Sequence, residues 1–207
     1  MTATKSKSQF IGPRQNWDQF IQKKPKWISD RLQNVHFFSD SGTFDAKKIE
    51  DAIIEEKYLL LVSDGSLKYI HMMSFGWILC TPSNKWLVVS SGPGSGEGSS
   101  LRIEADGMLS VALCYEIIAD ELAMPNFKIT YICDNNTLIR HCKERLGFDV
   151  PFPNTTLRPE YDLIEEIYQT NKYHCISPRF EWVKGHRDDH ELYDDLDLHS
   201  QLNIKAD

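Results

Sequence analysis

The chain opens on polar residues, and its first strong apolar signal begins at Trp17. From Trp17 to Phe38 bulky apolar residues recur loosely (Trp17, Phe20, Ile21, Trp27, Ile28, Leu32, Val35, Phe37, Phe38), a pattern of one or two short helices packing on something rather than a free linker. Phe44 to Lys57 predicts a helix with Phe44, Ile49, Ala52 and Ile53 on one face. Tyr58–Ser63 (YLLLVS) is nearly continuously apolar, as a strand covered on both faces should be. His71–Cys80 and Lys85–Ser91 follow at hairpin spacing, with Thr81-Pro82-Ser83-Asn84 as the turn. Gly92 to Ser100 reads as a flexible loop. Beyond it the pattern gives a long helix over Leu101–Leu122, a strand over Phe127–Cys133, helices over Asn136–Leu146 and Leu157–Asn171, a strand over Arg179–Val183, and a last helix near the C-terminus. Three meandering strands followed by α/β alternation predict an α/β fold, a mixed sheet with helices on its faces.

Length and composition narrow the function classes. A chain of 207 residues holds one domain with a full core, with room for an appendage. No apolar run is long enough for a membrane span and no secretory h-region is visible, so the expectation is an intracellular protein of cytoplasm or nucleus, not secreted and with no membrane partner. The five cysteines include no Cys-x-x-Cys pair and read as reduced thiols without structural zinc. The sequons at Asn135 and Asn154 carry no weight without a secretory route. The Gly92–Ser100 run lacks the Gly-Lys-Ser/Thr of a phosphate loop. A formal charge of −7 argues against gripping nucleic acid by bulk electrostatics. Acids crowd one late stretch (Asp188, Asp189, Glu191, Asp194, Asp195, Asp197), plainly read as a solvated loop, alternatively as one that repels phosphates or gathers metal ions.

Four acids sit where this architecture would bring them together. Asp64 ends the first buried strand, Glu104 lies in the first turn of the long helix, Asp134 ends the fourth strand, and Asp207 closes the chain. Singly, each is as well explained as a surface group or a cap, Asp134 above all as the N-cap of the helix after it. Together they are the donor set that phosphodiester hydrolysis requires. Two Mg²⁺ ions about 3.5–4 Å apart activate the attacking water and stabilise the leaving oxygen. Mg²⁺, or Mn²⁺ in its place, takes hard oxygen ligands, so a few carboxylates plus a substrate phosphate suffice. Bound metals also reverse the local field, letting an acidic domain bind a polyanion.

Ser-Asp-Gly-Ser at 63–66, Arg-Ile-Glu-Ala around Glu104, Asp134 after its strand, Trp-Val-Lys-Gly-His-Arg-Asp-Asp at 182–189 and Leu-Asn-Ile-Lys-Ala-Asp at 202–207 resemble, in order, the ribonuclease H family. The version closest in flavour is the domain attached to reverse transcriptases of eukaryotic retroelements. Val-Lys-Gly-His after a strand is the most specific piece. The resemblance covers residues 58–207 and implies a ribonuclease H-like fold: a five-stranded mixed sheet, three antiparallel strands then parallel additions, with helices on both faces. Residues 1–57 would be an N-terminal extension, disordered to about residue 12 and then helical. It further implies an endonuclease that cuts the RNA strand of RNA–DNA hybrids by two-metal-ion catalysis. Asp64, Glu104, Asp134 and Asp207 would be the metal ligands, and His186 a mobile proton-transfer or product-release residue. Gly65, Ser66, Ser100, Arg102, Asn135 and Asn136 would contact the substrate, the first two along the minor groove where 2′-hydroxyls mark RNA.

The chain departs from the family in three ways. It stops at Asp207, where the family's last helix runs a turn or more further, so that helix reads as truncated. The stretch from His186 to Asp207 is longer and more acidic. The basic protrusion that grips hybrid in some members is missing between Leu146 and Leu157. The domain is therefore expected to be monomeric, to hold hybrid weakly by itself, and to work beside a tethered or neighbouring reverse transcriptase domain. The competing reading is an inactive ribonuclease H-like scaffold in a larger nucleic-acid assembly, and a third keeps the fold on a transposase or exonuclease substrate. An Arg or Lys neutralising the acids would favour the scaffold.

Overall fold

The computed structural model describes residues 17–39, 43–68, 72–122, 128–151, 153–173 and 178–207. The disordered start expected up to about residue 12, and the strand starts expected at His71 and Phe127, lie outside these residues. The elements run α1 (Trp17–Ile21), α2 (Lys26–Arg31), β1 (His36–Phe37), α3 (Ala46–Glu56), β2 (Tyr58–Leu67), β3 (Met73–Cys80), β4 (Trp86–Pro93), α4 (Ser100–Leu122), β5 (Lys128–Cys133), α5 (Asn136–Leu146), α6 (Tyr161–Tyr173), β6 (Arg179–Trp182) and α7 (Leu198–Ala206). Short 3₁₀ turns lie at Pro153–Leu157, where the α6 helix had been expected to begin, and at Arg187–Asp189 and Tyr193–Asp195.

One mixed sheet forms in the order β1-β4-β3-β2-β5-β6. Strands β2, β3 and β4 meander antiparallel, while β5 joins β2 and β6 joins β5 in parallel. The sheet has six strands rather than five, because His36 and Phe37 pair antiparallel with Val89 and Val88 at its edge. A two-residue strand at the end of an irregular segment leaves no alternation to read.

Strand β2 also runs further than its apolar stretch. It pairs with β3 from Leu60↔Cys80 to Leu67↔Met73, whereas its pairing with β5 stops at Val62↔Ile132. Asp64 is thus inside β2, opposite Gly76, and not at its tip. Past Val62 the β5-facing edge of β2 is open, and the fold places the acid at that opening.

Helices cover both faces. Leu59, Leu61, Ile129 and Tyr131 pack with α4, while Leu60, Val62, Ile78 and Ile132 pack with Leu202 and Ala206 of α7. Helix α4 is buried nearly all round, which explains its weak amphipathicity. Apolar residues of the described part before β2 pack on the α4 side of the same core: Trp17, Ile21, Leu32, Phe37, Ile49 and Ile53 are all buried there. Trp17, Phe37 and Phe44 stack edge-on or tilted with centroids 5.1–6.1 Å apart. Truncating such an aromatic typically costs about 3–5 kcal/mol. Trp27 and Phe38 stay largely exposed.

The loop before α4 is pinned rather than loose. The Ser95 backbone N–H donates to Asp106 Oδ2 at 2.7 Å, Ser95 Oγ bonds the same carboxylate, and Arg31 Nη2 reaches it at 2.8 Å. Glycine-rich sequence signals conformational freedom; a buried carboxylate 11 residues onward removes it.

Candidate active site

Each acid arrives by a different element, and glycines let them converge. Helix α4 begins at Ser100, so Glu104 falls just past its first turn, on the face toward the sheet. A Cβ on Gly65 would lie 2.9 Å from the Glu104 nitrogen, so β2 passes directly under the start of α4 there. A Cβ on Gly76 would fall 2.0 Å from the Ala206 carbonyl oxygen, so the end of α7 rests on the strand opposite Asp64 and sets Asp207 beside it. A Cβ on Gly185 would fall 2.0 Å from Asp134 Oδ2, so the turn carrying His186 closes onto that carboxylate. In each case any side chain would push the elements apart. Gly76 escaped sequence reasoning, because a strand glycine announces close approach without saying to what.

Asp64 is buried and accepts from the Gly65 N–H at 2.7 Å. Burial, then the charges of Asp134 and Asp207, push its carboxyl up to about 7. Glu104 is only 4% exposed, and burial followed by Asp64 and Asp134 pushes it up to about 9. Asp134 is raised by burial and by Asp207, with His186 opposing. Among the described residues no lysine or arginine forms an ion pair with any of the four acids.

Asp64 and Asp207 line a recess of about 190 Å³ together with His186, Asp188, Asp189, Asn203 and Ile204. Asn203 Nδ2 is buried without a hydrogen-bond partner. His186 is exposed and holds a left-handed backbone (φ 51°), uncommon for a residue with a side chain and frequent at functional turns. Two acids of the late acidic stretch, Asp188 and Asp189, thus face the recess. Arg187 clamps two more by binding Glu191 and Asp197, and Asp197 caps α7.

The structure separates the other expected positions. Asn135, not Asp134, is the N-cap of α5, its side-chain oxygen accepting from the Leu138 N–H at 3.1 Å. Capping occupies the Asn135 side-chain oxygen and leaves Asp134 to the acid cluster. Arg102 is not free for a phosphate: it pairs with Glu160 at 2.5 Å and Asp162 at 3.2 Å and donates to the Ser95 carbonyl. Both acids lie more than 50 residues away, so nothing beside Arg102 in the sequence announces them. Ser99 caps the start of α4, its hydroxyl oxygen accepting from the Arg102 N–H, and leaves Ser100 exposed. Ser66 and Asn136 are exposed, near Asp64 and at the start of α5 respectively. Gly65 serves the close approach already described.

One neighbour was not anticipated. Cys133, fully buried at the end of β5, donates its thiol to Glu104 Oε2 at 3.5 Å, and its sulfur accepts from the Asn135 N–H at 3.3 Å. Donor atoms of Glu104, Cys133 and Asp134 lie within 4.8 Å of one another. The sequence places Cys133 beside Asp134 but does not say that its side chain points to α4.

By sequence the chain matches no family model and no curated protein. By structure it is similar to the protease–reverse transcriptase of a foamy virus in complex with RNA/DNA hybrid, with TM-score 0.50 and 15% identity over 74% of this chain and 19% of that one. It is also similar to LC11-RNase H1 in complex with RNA/DNA hybrid, with TM-score 0.49 and 11% identity over 64% and 88% of the two chains. For RNase H1 of the halophilic archaeon Halobacterium salinarum the TM-score is 0.47, at 10% identity over 64% and 89%. The foamy virus match, together with the strand order and helix placement, defines the fold as ribonuclease H-like. The chain spans about a fifth of that foamy virus protein. No described helix is long and apolar enough to cross a membrane.

Proposed function

We propose that this chain is a ribonuclease H-type endonuclease that hydrolyses the RNA strand of RNA–DNA hybrids, as part of a retroelement reverse transcriptase. The observation that carries the reading is the convergence of Asp64, Glu104, Asp134 and Asp207 with no lysine or arginine among the described residues paired with them. A fold that keeps two carboxyls raised by burial, and then by the charge of neighbouring acids, is holding a place for positive charge. Hard oxygen donors fit Mg²⁺ or Mn²⁺, and the unpartnered Asn203 amide leaves polar capacity for a hydrated ligand in the adjoining recess.

Asp64, Glu104, Asp134 and Asp207 would hold two divalent cations, which supply an activated water nucleophile and charge stabilisation of the leaving oxygen. The chain's own part is positioning. Asp64 is fixed by its bond to the Gly65 N–H, Glu104 by the buried start of α4, and Asp134 by the turn at Gly185. His186 sits at the rim on an exposed turn, placed to carry a proton between the leaving oxygen and solvent. Ser66 and Asn136, exposed near the acids, are the proposed contacts to sugar and phosphate. The likeness to proteins solved with RNA/DNA hybrid supports the choice of substrate. With a net charge of −7, tight binding of hybrid is assigned to a neighbouring reverse transcriptase domain.

The test offers labelled RNA–DNA hybrid, duplex RNA and duplex DNA to the protein with and without Mg²⁺. Cleavage of the RNA strand in hybrid alone, and only with Mg²⁺, is the expected result. No cleavage under any condition, with hybrid bound, would favour the scaffold.

A further inference from the structure

The donor set at the Asp134 end of the site is chemically mixed. Glu104 and Asp134 offer hard oxygens, and between them Cys133 offers a soft sulfur, all three donor atoms within 4.8 Å of one another. Ligand atoms at about 2.0–2.3 Å from one tetrahedral zinc-like ion lie about 3.3–3.8 Å apart, so the widest pair of this triad would close by about 1–1.5 Å at most on binding. Two of the three are held from outside the triad. The sulfur already receives the Asn135 backbone N–H at 3.3 Å, a donor suited to sulfur carrying negative charge, and Glu104 is held by the start of α4. Asp134, half-buried, forms the mouth through which an ion would enter. Among the described residues this is the group of His, Cys, Asp and Glu whose donor atoms converge closely enough to share an ion.

We propose that Glu104, Cys133 and Asp134 form a binding site for a thiophilic divalent cation, Zn²⁺ or Cd²⁺, whose occupation displaces the hard cation assigned to Glu104 and Asp134 and so inhibits the centre. The proposal rests on the carboxylate reading above and adds the sulfur to it. Mg²⁺ and Mn²⁺ prefer carboxylate and water and leave Cys133 as a protonated neighbour of Glu104, whereas zinc-group ions favour thiolate. On binding, the S–H bond breaks, a metal–sulfur bond forms, and the proton passes to the buffer; no electron is transferred. The centre thereby discriminates between metals by a residue that has no part in hydrolysis.

The test titrates the full chain with Cd²⁺ and reads the ultraviolet charge-transfer band of a cadmium–thiolate bond. Mn²⁺ binding is followed in parallel by water-proton relaxation. The expected result is a band saturating at one equivalent in the parent and absent in Cys133→Ser. Removing even an outer partner of a metal ligand typically weakens binding by about 10–100-fold, and Cd²⁺ affinity should fall at least that far in the variant. Mn²⁺ binding should be unchanged, and thermal unfolding should show that Cys133→Ser is folded. A parent without the band, or an equal band in Cys133→Ser, overturns the proposal. In that event retained Mn²⁺ binding leaves the carboxylate reading standing, and loss of Mn²⁺ binding removes both.

Discussion

Glu104 and Asp106 are two acids on one helix, two residues apart and both buried, yet the protein treats them oppositely. Asp106 is surrounded by donors: the Arg31 guanidinium, the Ser95 N–H and the Ser95 hydroxyl all reach its carboxylate. Glu104 faces two further acids and a thiol, and its carboxyl is driven up to about 9. Burying a charge is costly unless a counter-charge meets it. Asp106 meets its counter-charge inside the protein and so fastens α2 and the loop before α4 to the core. Glu104 meets no such counter-charge and is driven to keep its proton, which makes no sense as architecture and good sense as a place for a cation.

Substitutions can break that contrast. The largest effect is expected at Asp134→Asn, which should abolish hybrid cleavage while leaving the circular dichroism spectrum unchanged. Activity within about tenfold of the parent at saturating Mg²⁺, a difference of only about 1.4 kcal/mol in the barrier, would contradict the site. Next is Asp106→Ala, which strands the Arg31 guanidinium and the Ser95 N–H. Breaking a buried pair from one side costs about 3–5 kcal/mol, measurable as a lower urea midpoint. His186→Ala should slow turnover by roughly tenfold to a thousandfold and leave Mn²⁺ binding intact, as fits a proton carrier. Lost Mn²⁺ binding would recast His186 as a ligand.

The smallest effect sharpens the comparison through pH. Asp64 and Glu104 are raised from 3.8 and 4.5 to about 7 and about 9. The folded protein therefore holds protons that the unfolded chain releases. The contribution of these two groups to metal-free stability is fully present below about pH 4, is lost as pH climbs toward 7 for Asp64 and toward 9 for Glu104, and levels off above. Glu104→Gln should flatten the slope and stabilise the metal-free protein near pH 8, and millimolar Mg²⁺ should do the same for the parent. A pH-independent urea midpoint in metal-free parent would mean that the acids do not repel one another.

Most of the frame was legible along the chain, since it depends on neighbours in sequence. YLLLVS reads as a covered strand, Asn136–Leu146 reads as a helix, and their order suffices for a mixed sheet with helices on both faces. The acids were picked out along the chain as lying at element boundaries, which holds for Asp134 and Asp207, whereas Asp64 lies inside β2 and Glu104 inside α4. The edge pairing of His36 with Val89 was not, because two residues carry no period. Nor was the rigidity of the Gly92–Ser100 loop, whose composition suggests freedom until Asp106 is folded against it.

What the sequence by itself determined is which residues would be apolar, helical or extended, and that Asp64, Glu104, Asp134 and Asp207 would follow one another in this order. What only the tertiary structure decided is which charges are answered. Arg102 is spent on Glu160, 58 residues away, and Arg31 on Asp106, 75 residues away. Asn135 turns inward to cap its helix, while Cys133 turns toward Glu104 from 29 residues off. Propensity and periodicity act over a few residues and can be read locally. Charge compensation acts over a few ångströms of space, and in this fold those ångströms join residues that the chain keeps far apart.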